Sequence, residues 1–185
     1  EELANKVRKF ALLRGAENFP RYGRKHVSFG LNYRFGSLLS AVALAQLELL
    51  PQQNERRVEL AQMLNEKLEE VDGLIPVYVP PGCSHLYWLY ALQLDLSKFK
   101  AGIWEVGDAL KGEGIPCSPA PYYLLPDCVT FLSERYGIKY GAHLVPKAKA
   151  HLDRTIRWAW TDKYTEKDIN DITRAIEKVL NCYHI

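Results

Sequence analysis

The sequence predicts an α+β fold, with two helices followed by a mixed region in which strands and helices alternate. Three stretches carry that expectation. Residues 38–50 are apolar on more than one helical stripe, residues 87–94 are dense in aromatic and apolar side chains, and residues 165–180 repeat Ile169, Ile172, Ile176 and Val179 at helical spacing. At 185 residues, 48% of them hydrophobic and 25% charged, the chain has room for one globular domain or one and a half, with a core of its own.

Taken in order, residues 3–13 place Leu3, Val7, Phe10 and Ala11 on one face of a short amphipathic helix. Residues 14–26 hold Gly15, Pro20 and Gly23 without an apolar period, which predicts an irregular loop. Residues 37–50 predict a helix buried on most sides. Pro51 is expected to end it, with a second helix over 52–71 burying Leu60, Leu64, Leu68 and Val71. Asp72-Gly73 is a stop signal, and residues 74–81 read as a short strand closed by Pro80-Pro81-Gly82. The strand over 87–94 is expected to put Trp88, Tyr90, Leu92 and Leu94 on one face. Ile103, Val106 and Leu110 mark the next helix, and Pro116, Pro119, Pro121 and Pro126 then hold Tyr122 and Tyr123 in a rigid loop suited to carrying binding groups. A helix over 142–151, a strand over 155–160 and a helix over 165–180 follow. Thr165 and Asp168 fit the N-terminal capping pattern of the last one.

Charge and cysteine usage exclude several classes. A net charge of +2 argues against a general nucleic-acid coat, and no apolar run reaches the ~18 residues that a bilayer span needs, so a cytoplasmic, soluble chain is expected. Cys83, Cys117, Cys128 and Cys182 form no Cys-x-x-Cys pair, so neither zinc nor a disulfide framework is expected. The neutral total conceals a gradient: residues 1–34 carry eight basic against three acidic groups, and the remainder sixteen against nineteen. That basic head is either a solvated loop or a surface for an anion. The chain opens on Glu1-Glu2-Leu3 without an initiator Met or a leader pattern, which reads as a cut within a longer chain. Phosphate loops, His-Glu-x-x-His and nucleophile-elbow motifs are absent from the sequence. Read on its own, His85 is a hydrogen-bonded structural residue or a catalytic one, and the Tyr87, Trp88 and Tyr90 cluster is core or a stacking surface.

Longer strings go further. Gly30-Leu31-Asn32-Tyr33-Arg34-Phe35, the run from Ala41 through Gln46-Leu47, and Arg56-Arg57 resemble the G-x-N-Y-R-(M/F), A-x-x-x-x-Q-L and R segment of the DegT/DnrJ family of pyridoxal-phosphate-dependent sugar aminotransferases. His85-Leu86-Tyr87-Trp88-Leu89-Tyr90 is similar to that family's H-x-Y-H-x-Y strand, and Gly114-Ile115-Pro116 with Tyr122-Tyr123 to its G-I-P and Tyr loop. Trp160, Tyr164-Thr165-Glu166 with Asp168-Ile169, and Ala175-Ile176 through Lys178-Val179 resemble its closing signature.

The resemblance implies the back portion of a fold-type-I aminotransferase. Residues 1–50 would be the tail of the large cofactor domain, with its basic loop and interface helix. Residues 51–185 would be the small domain, a mostly antiparallel sheet with covering helices. The family's imine-forming lysine would precede Glu1, and no lysine here sits in its S-F-x-x-x-K context, so no catalytic residue is assigned and the chain alone is expected to be inactive.

Asn32 aligns with the Asn that reaches the pyridoxal phosphate group of a neighbouring subunit, where an amide donor makes a charge-assisted bond to a dianion. Tyr33, His85 and Tyr123 match positions lining the substrate cleft. Arg34 would bind an anion or substrate, or pair with an acid at the subunit interface. Trp88 stands where the family often has His, and would offer a sugar or cyclitol ring a stacking face. Ser37 for Glu, Lys149 for Glu and Ala159 for Pro are further departures from the family pattern, and the Trp88 change with the Gly114-Ile115-Pro116-Cys117-Ser118 run resembles the aminocyclitol branch. A homodimer through residues 32–50 is expected, because the helix from Leu38 is too apolar to stand alone, while metal, membrane and nucleic acid are not expected as partners. The competing reading is a non-catalytic small-ligand or dimerisation module derived from the same family.

Overall fold

The computed structural model describes residues 1–12, 16–19, 23–26, 31, 35–75, 77–120, 124, 136, 137, 139 and 141–185. The chain divides into two compact units, Glu1–Pro51 and Gln52–Ile185.

In the first unit, α1 spans Glu2–Val7 and runs into a π-type turn over Arg8–Leu12. The region expected to be an irregular loop instead pairs. Strand β1, Ala16–Phe19, lies antiparallel to β2, Gly23–His26, with Ala16 opposite His26 and Phe19 opposite Gly23. Neither strand has an apolar alternation to announce it, because a two-stranded ladder needs only a facing backbone. The Leu31 amide donates to the Phe10 carbonyl at 2.9 Å.

Helix α2 is continuous over Ser37–Leu68, through Pro51, where two helices were expected. Proline removes one intrahelical donor but not the helical dihedrals, and the Leu, Ala, Gln and Glu residues around it are strong helix formers. The two parts of α2 differ in burial. Leu60, Ala61, Leu64 and Leu68 are buried, whereas Leu38, Leu39, Val42, Leu44 and Leu47 are all more than half exposed.

The second unit is built on a four-stranded antiparallel sheet in the order β3-β4-β6-β5, with β3 at Leu74–Ile75, β4 at Leu89–Leu94, β5 at Ser118–Pro119 and β6 at Thr155–Ala159. The predicted α+β class with an antiparallel sheet is therefore what the chain adopts. The central pair runs Leu89 opposite Ala159 to Gln93 opposite Thr155. Helix α3 covers Ile103–Gly112, α4 Pro146–Leu152 and α5 Glu166–Tyr183. One core joins Leu60, Leu64 and Leu68 of α2, Val106 and Leu110 of α3, and Ile169, Ile176 and Leu180 of α5 to Tyr90, Leu92, Ile156 and Trp158 of the sheet. Each fully buried Leu or Ile there contributes about 1.5–3 kcal/mol. Tight approaches fix the geometry. Gly73, at φ +83°, admits the Phe99 ring where a Cβ would collide with it. Thr165 and Asp168 form the expected capping box on α5, each accepting from the other's backbone amide.

Candidate functional site

The stretch before β4 carries the candidate site. Tyr87 has φ +47°, the one left-handed non-glycine residue among the described residues. Such a conformation costs on the order of 1–3 kcal/mol for a bulky side chain and persists only where the surroundings enforce it. Four contacts surround it here. The Tyr87 ring is buried and stacks near Tyr90 at a centroid distance of 6.2 Å. Its hydroxyl accepts from Asn65 Nδ2 at 3.2 Å, and its backbone amide donates to His85 Nδ1 at 3.2 Å. The His85 ring meets the Tyr87 ring edge-on at 4.3 Å. Accepting at Nδ1 leaves the neutral imidazole's proton on Nε2, so His85 presents a donor to whatever it faces.

Behind this corner, the Tyr90 hydroxyl donates to Asn65 Oδ1 at 2.6 Å, and the Tyr90 ring packs between Trp158 at 4.8 Å and Trp160 at 5.0 Å. Burial pushes the Tyr90 phenol well above its ordinary value, so it serves as a neutral donor. Trp88, by contrast, is 77% exposed. The expectation that it shares a face with Tyr90 is corrected, because regular alternation begins only at Leu89, after the left-handed turn at Tyr87. Its carbonyl still accepts from the Trp160 amide at 3.3 Å, so the backbone is tied down while the indole stays free. The outcome is a fixed corner presenting an imidazole and an indole three residues apart, a pairing suited to hydrogen-bonding and stacking on a polar ring. Beside it, a groove of about 250 Å³ is lined by Asn65, Tyr90, Glu66 and Glu69 among others.

Of the residues singled out from the sequence, His85 and Trp88 flank Tyr87 and are both exposed, while Asn32, Tyr33, Arg34 and Tyr123 lie outside the described residues. Asn65 is the residue that sequence reading passed over. Its signal was an amide directly beside Leu64 on the edge of the buried stripe Leu60, Leu64 and Leu68. Among the described residues no group of His, Cys, Asp or Glu is arranged for a metal. Lys98, bonded to Asp72, is pushed above its ordinary value by that hydrogen bond.

The sequence profile of the DegT/DnrJ/EryC1/StrS aminotransferase family matches residues 1–177. The chain belongs to this family. The L-glutamine:2-deoxy-scyllo-inosose aminotransferase of Streptoalloteichus tenebrarius is 32% identical over 82% of this chain and 39% of its own length. The spore coat polysaccharide biosynthesis protein SpsC of Bacillus subtilis is 27% identical over 97% of this chain and 47% of its own. Spr1654 of Streptococcus pneumoniae, solved in a PLP form, superposes with a TM-score of 0.78 at 16% identity, over 98% of this chain and 44% of that one, a likeness of fold. The chain thus spans about half the length, or less, of these DegT/DnrJ/EryC1/StrS relatives.

Proposed function

We propose that this chain is the acceptor-facing part of a pyridoxal-phosphate-dependent aminotransferase acting on a keto-sugar or keto-cyclitol, with the cofactor's lysine supplied from outside it. The family match across residues 1–177 carries the reading. In this reading residues 1–50 are the tail of the cofactor domain and residues 51–185 the small domain, an arrangement that the compact division at Pro51 supports. Trp88 stacks on the acceptor ring and His85 donates to its hydroxyls; Tyr33, Arg34 and Tyr123 are further substrate residues in this reading, and Asn32 serves the cofactor phosphate of a neighbouring subunit. The 32% identity to an aminotransferase named for an inosose favours a cyclitol acceptor.

A homodimer through residues 32–50 accompanies this reading. Its support is the exposure of Leu38 at 79%, Leu44 at 64% and Leu47 at 60%, an apolar surface that water disfavours. A cytoplasmic location fits the free thiols of Cys83, Cys117 and Cys182 and the absence, among the described residues, of a helix long and apolar enough to cross a membrane.

The deciding experiment pairs chemistry with sequence. After incubation with pyridoxal phosphate and borohydride, mass spectrometry of the 185-residue chain is expected to find no stoichiometric lysine adduct, and the gene upstream of Glu1 is expected to encode a lysine in the S-F-x-x-x-K context. A stoichiometric adduct, an in-frame stop or an unrelated upstream domain would overturn the proposal. The departures from the family pattern at Ser37, Trp88, Lys149 and Ala159 favour one alternative, a non-catalytic ligand-binding or dimerisation module, and the in-frame stop is the outcome that selects it.

A further inference from the structure

We infer that Asn65 is a positioning residue for the His85 to Trp88 corner: its side-chain amide bridges the hydroxyls of Tyr87 and Tyr90, and so keeps Tyr87 left-handed and the Trp88 indole turned out toward the acceptor. The inference rests on the reading above that this corner faces the acceptor.

Tyr87 is held in a strained conformation. A tyrosine relaxes from φ +47° into the extended region unless its ring is held, and relief of that turn would free the adjoining residue 88, just before β4, to take up strand dihedrals and the strand's alternation. Trp88 would then share the packed side with Tyr90, as the bare sequence pattern predicts. What opposes relaxation is a set of polar contacts converging on one amide. Asn65 donates through Nδ2 to the Tyr87 hydroxyl at 3.2 Å and accepts at Oδ1 from the Tyr90 hydroxyl at 2.6 Å. Tyr90 is a rigid anchor, wedged between Trp158 and Trp160 on the sheet, and Asn65 stands on α2. The amide therefore ties the corner at once to the helix and to the sheet. Using both ends of the amide fixes its orientation, and the bond to Tyr87 fixes where that ring sits. The backbone amide of the same Tyr87 donates to His85 Nδ1, so the setting of one ring also sets the imidazole. Through Tyr87, Asn65 governs both candidate contact residues.

Trp88 fluorescence reads this directly. Trp158 and Trp160 are buried, so in a Trp104→Phe background of the full chain the indole open to acrylamide is Trp88. Asn65→Ala is expected to lower the quenching constant about twofold, the difference between the solvent side and the packed side of a strand. Asn65→Asp is expected to restore it, because a carboxylate accepts from both phenols. Tyr87→Phe, which keeps the ring and removes only the hydroxyl, is expected to lower quenching in the same way and answers the question if Asn65→Ala fails to fold. Thr165→Ala, a destabilising change at the cap of α5 that leaves the Asn65 bridge intact, is expected to leave quenching alone, which separates positioning from general loss of stability. Folded Asn65→Ala and Tyr87→Phe chains with unchanged Trp88 quenching would overturn the inference. Since no ligand enters this measurement, it is decided separately from the acceptor reading, which fails on its own if Trp88→Ala in the lysine-bearing enzyme leaves the KM for a keto-cyclitol unchanged.

Discussion

The indole N–H of Trp160 donates to the main-chain carbonyl of Arg57 at 3.0 Å, joining residues 103 positions apart in sequence. The bond pins the chain just beyond β6 to α2, and the same indole packs against Tyr90 at 5.0 Å and Tyr164 at 5.1 Å. Trp160→Phe keeps most of this packing and loses the donor, so urea unfolding is expected to show a loss of about 1 kcal/mol. Trp160→Ala adds a cavity next to Tyr90 and is expected to cost about 3–5 kcal/mol.

At the start of α5 the Thr165 hydroxyl accepts from the Asp168 amide at 3.3 Å, and the Asp168 carboxylate accepts from the Thr165 amide at 2.7 Å and from its hydroxyl at 2.7 Å. Those bonds, the backbone one first, hold the Asp168 carboxyl below its ordinary value. Thr165→Ala is expected to lower stability by about 1 kcal/mol, with Thr165→Ser recovering most of it, measured by thermal unfolding at neutral pH.

What could be read from the chain was what local rules govern. The Thr165 and Asp168 pair lies three residues apart, and a capping box needs nothing else, so α5 was legible to its first turn. The β4 core residues Tyr90, Leu92 and Leu94 were legible because alternation is a property of the strand itself. Trp88 was not, since its direction depends on a left-handed Tyr87, and the amide holding that conformation lies 22 residues upstream on another element. Pro51 read as a break because the missing donor is visible in sequence, whereas the helix-forming residues on both sides act only in sum. The hairpin of β1 and β2 was invisible for a related reason: its pairing is backbone to backbone, and no side-chain period reports it. The motif strings were the most informative signal for family, because they record contacts that no periodicity describes.

Gly107, inside α3, is buried against Pro119 of β5, and a Cβ there would come within 2.8 Å of the proline Cγ. A glycine-to-alanine change in a helix interior ordinarily stabilises by up to about 1 kcal/mol. Here the added methyl pushes α3 off the edge strand, and the steric cost outweighs the propensity gain. Gly107→Ala is expected to destabilise by about 1–3 kcal/mol in denaturant titration, and Gly107→Val by more.

The C-terminus is fastened by a polar cluster whose pH response follows from its geometry. The Asp72 carboxylate accepts from the Lys98 ammonium and lies 2.9 Å from His184 Nε2, while Ile185 donates its amide to the Lys98 carbonyl at 3.0 Å and Lys100 donates to the Tyr183 carbonyl at 2.9 Å. The hydrogen bond from Lys98, followed by that from His184, lowers the Asp72 carboxyl from 3.8 to about 2. A carboxylate depressed in the folded state contributes stability that is fully present above its unfolded value and is lost as pH falls through its folded one. The window for Asp72 therefore runs from about pH 4 down to about pH 2. Hydrogen exchange at the Lys100 and Ile185 amides is the measurement suited to it, because both amides belong to the fastening itself. Above pH 4 these amides are expected to exchange more slowly in the wild-type chain than in Asp72→Asn, and the difference is expected to shrink through the window and vanish below it. A difference that stays constant across those pH values would show that the tail is held by the Phe99 to His184 backbone pairing alone, without help from the charge on Asp72.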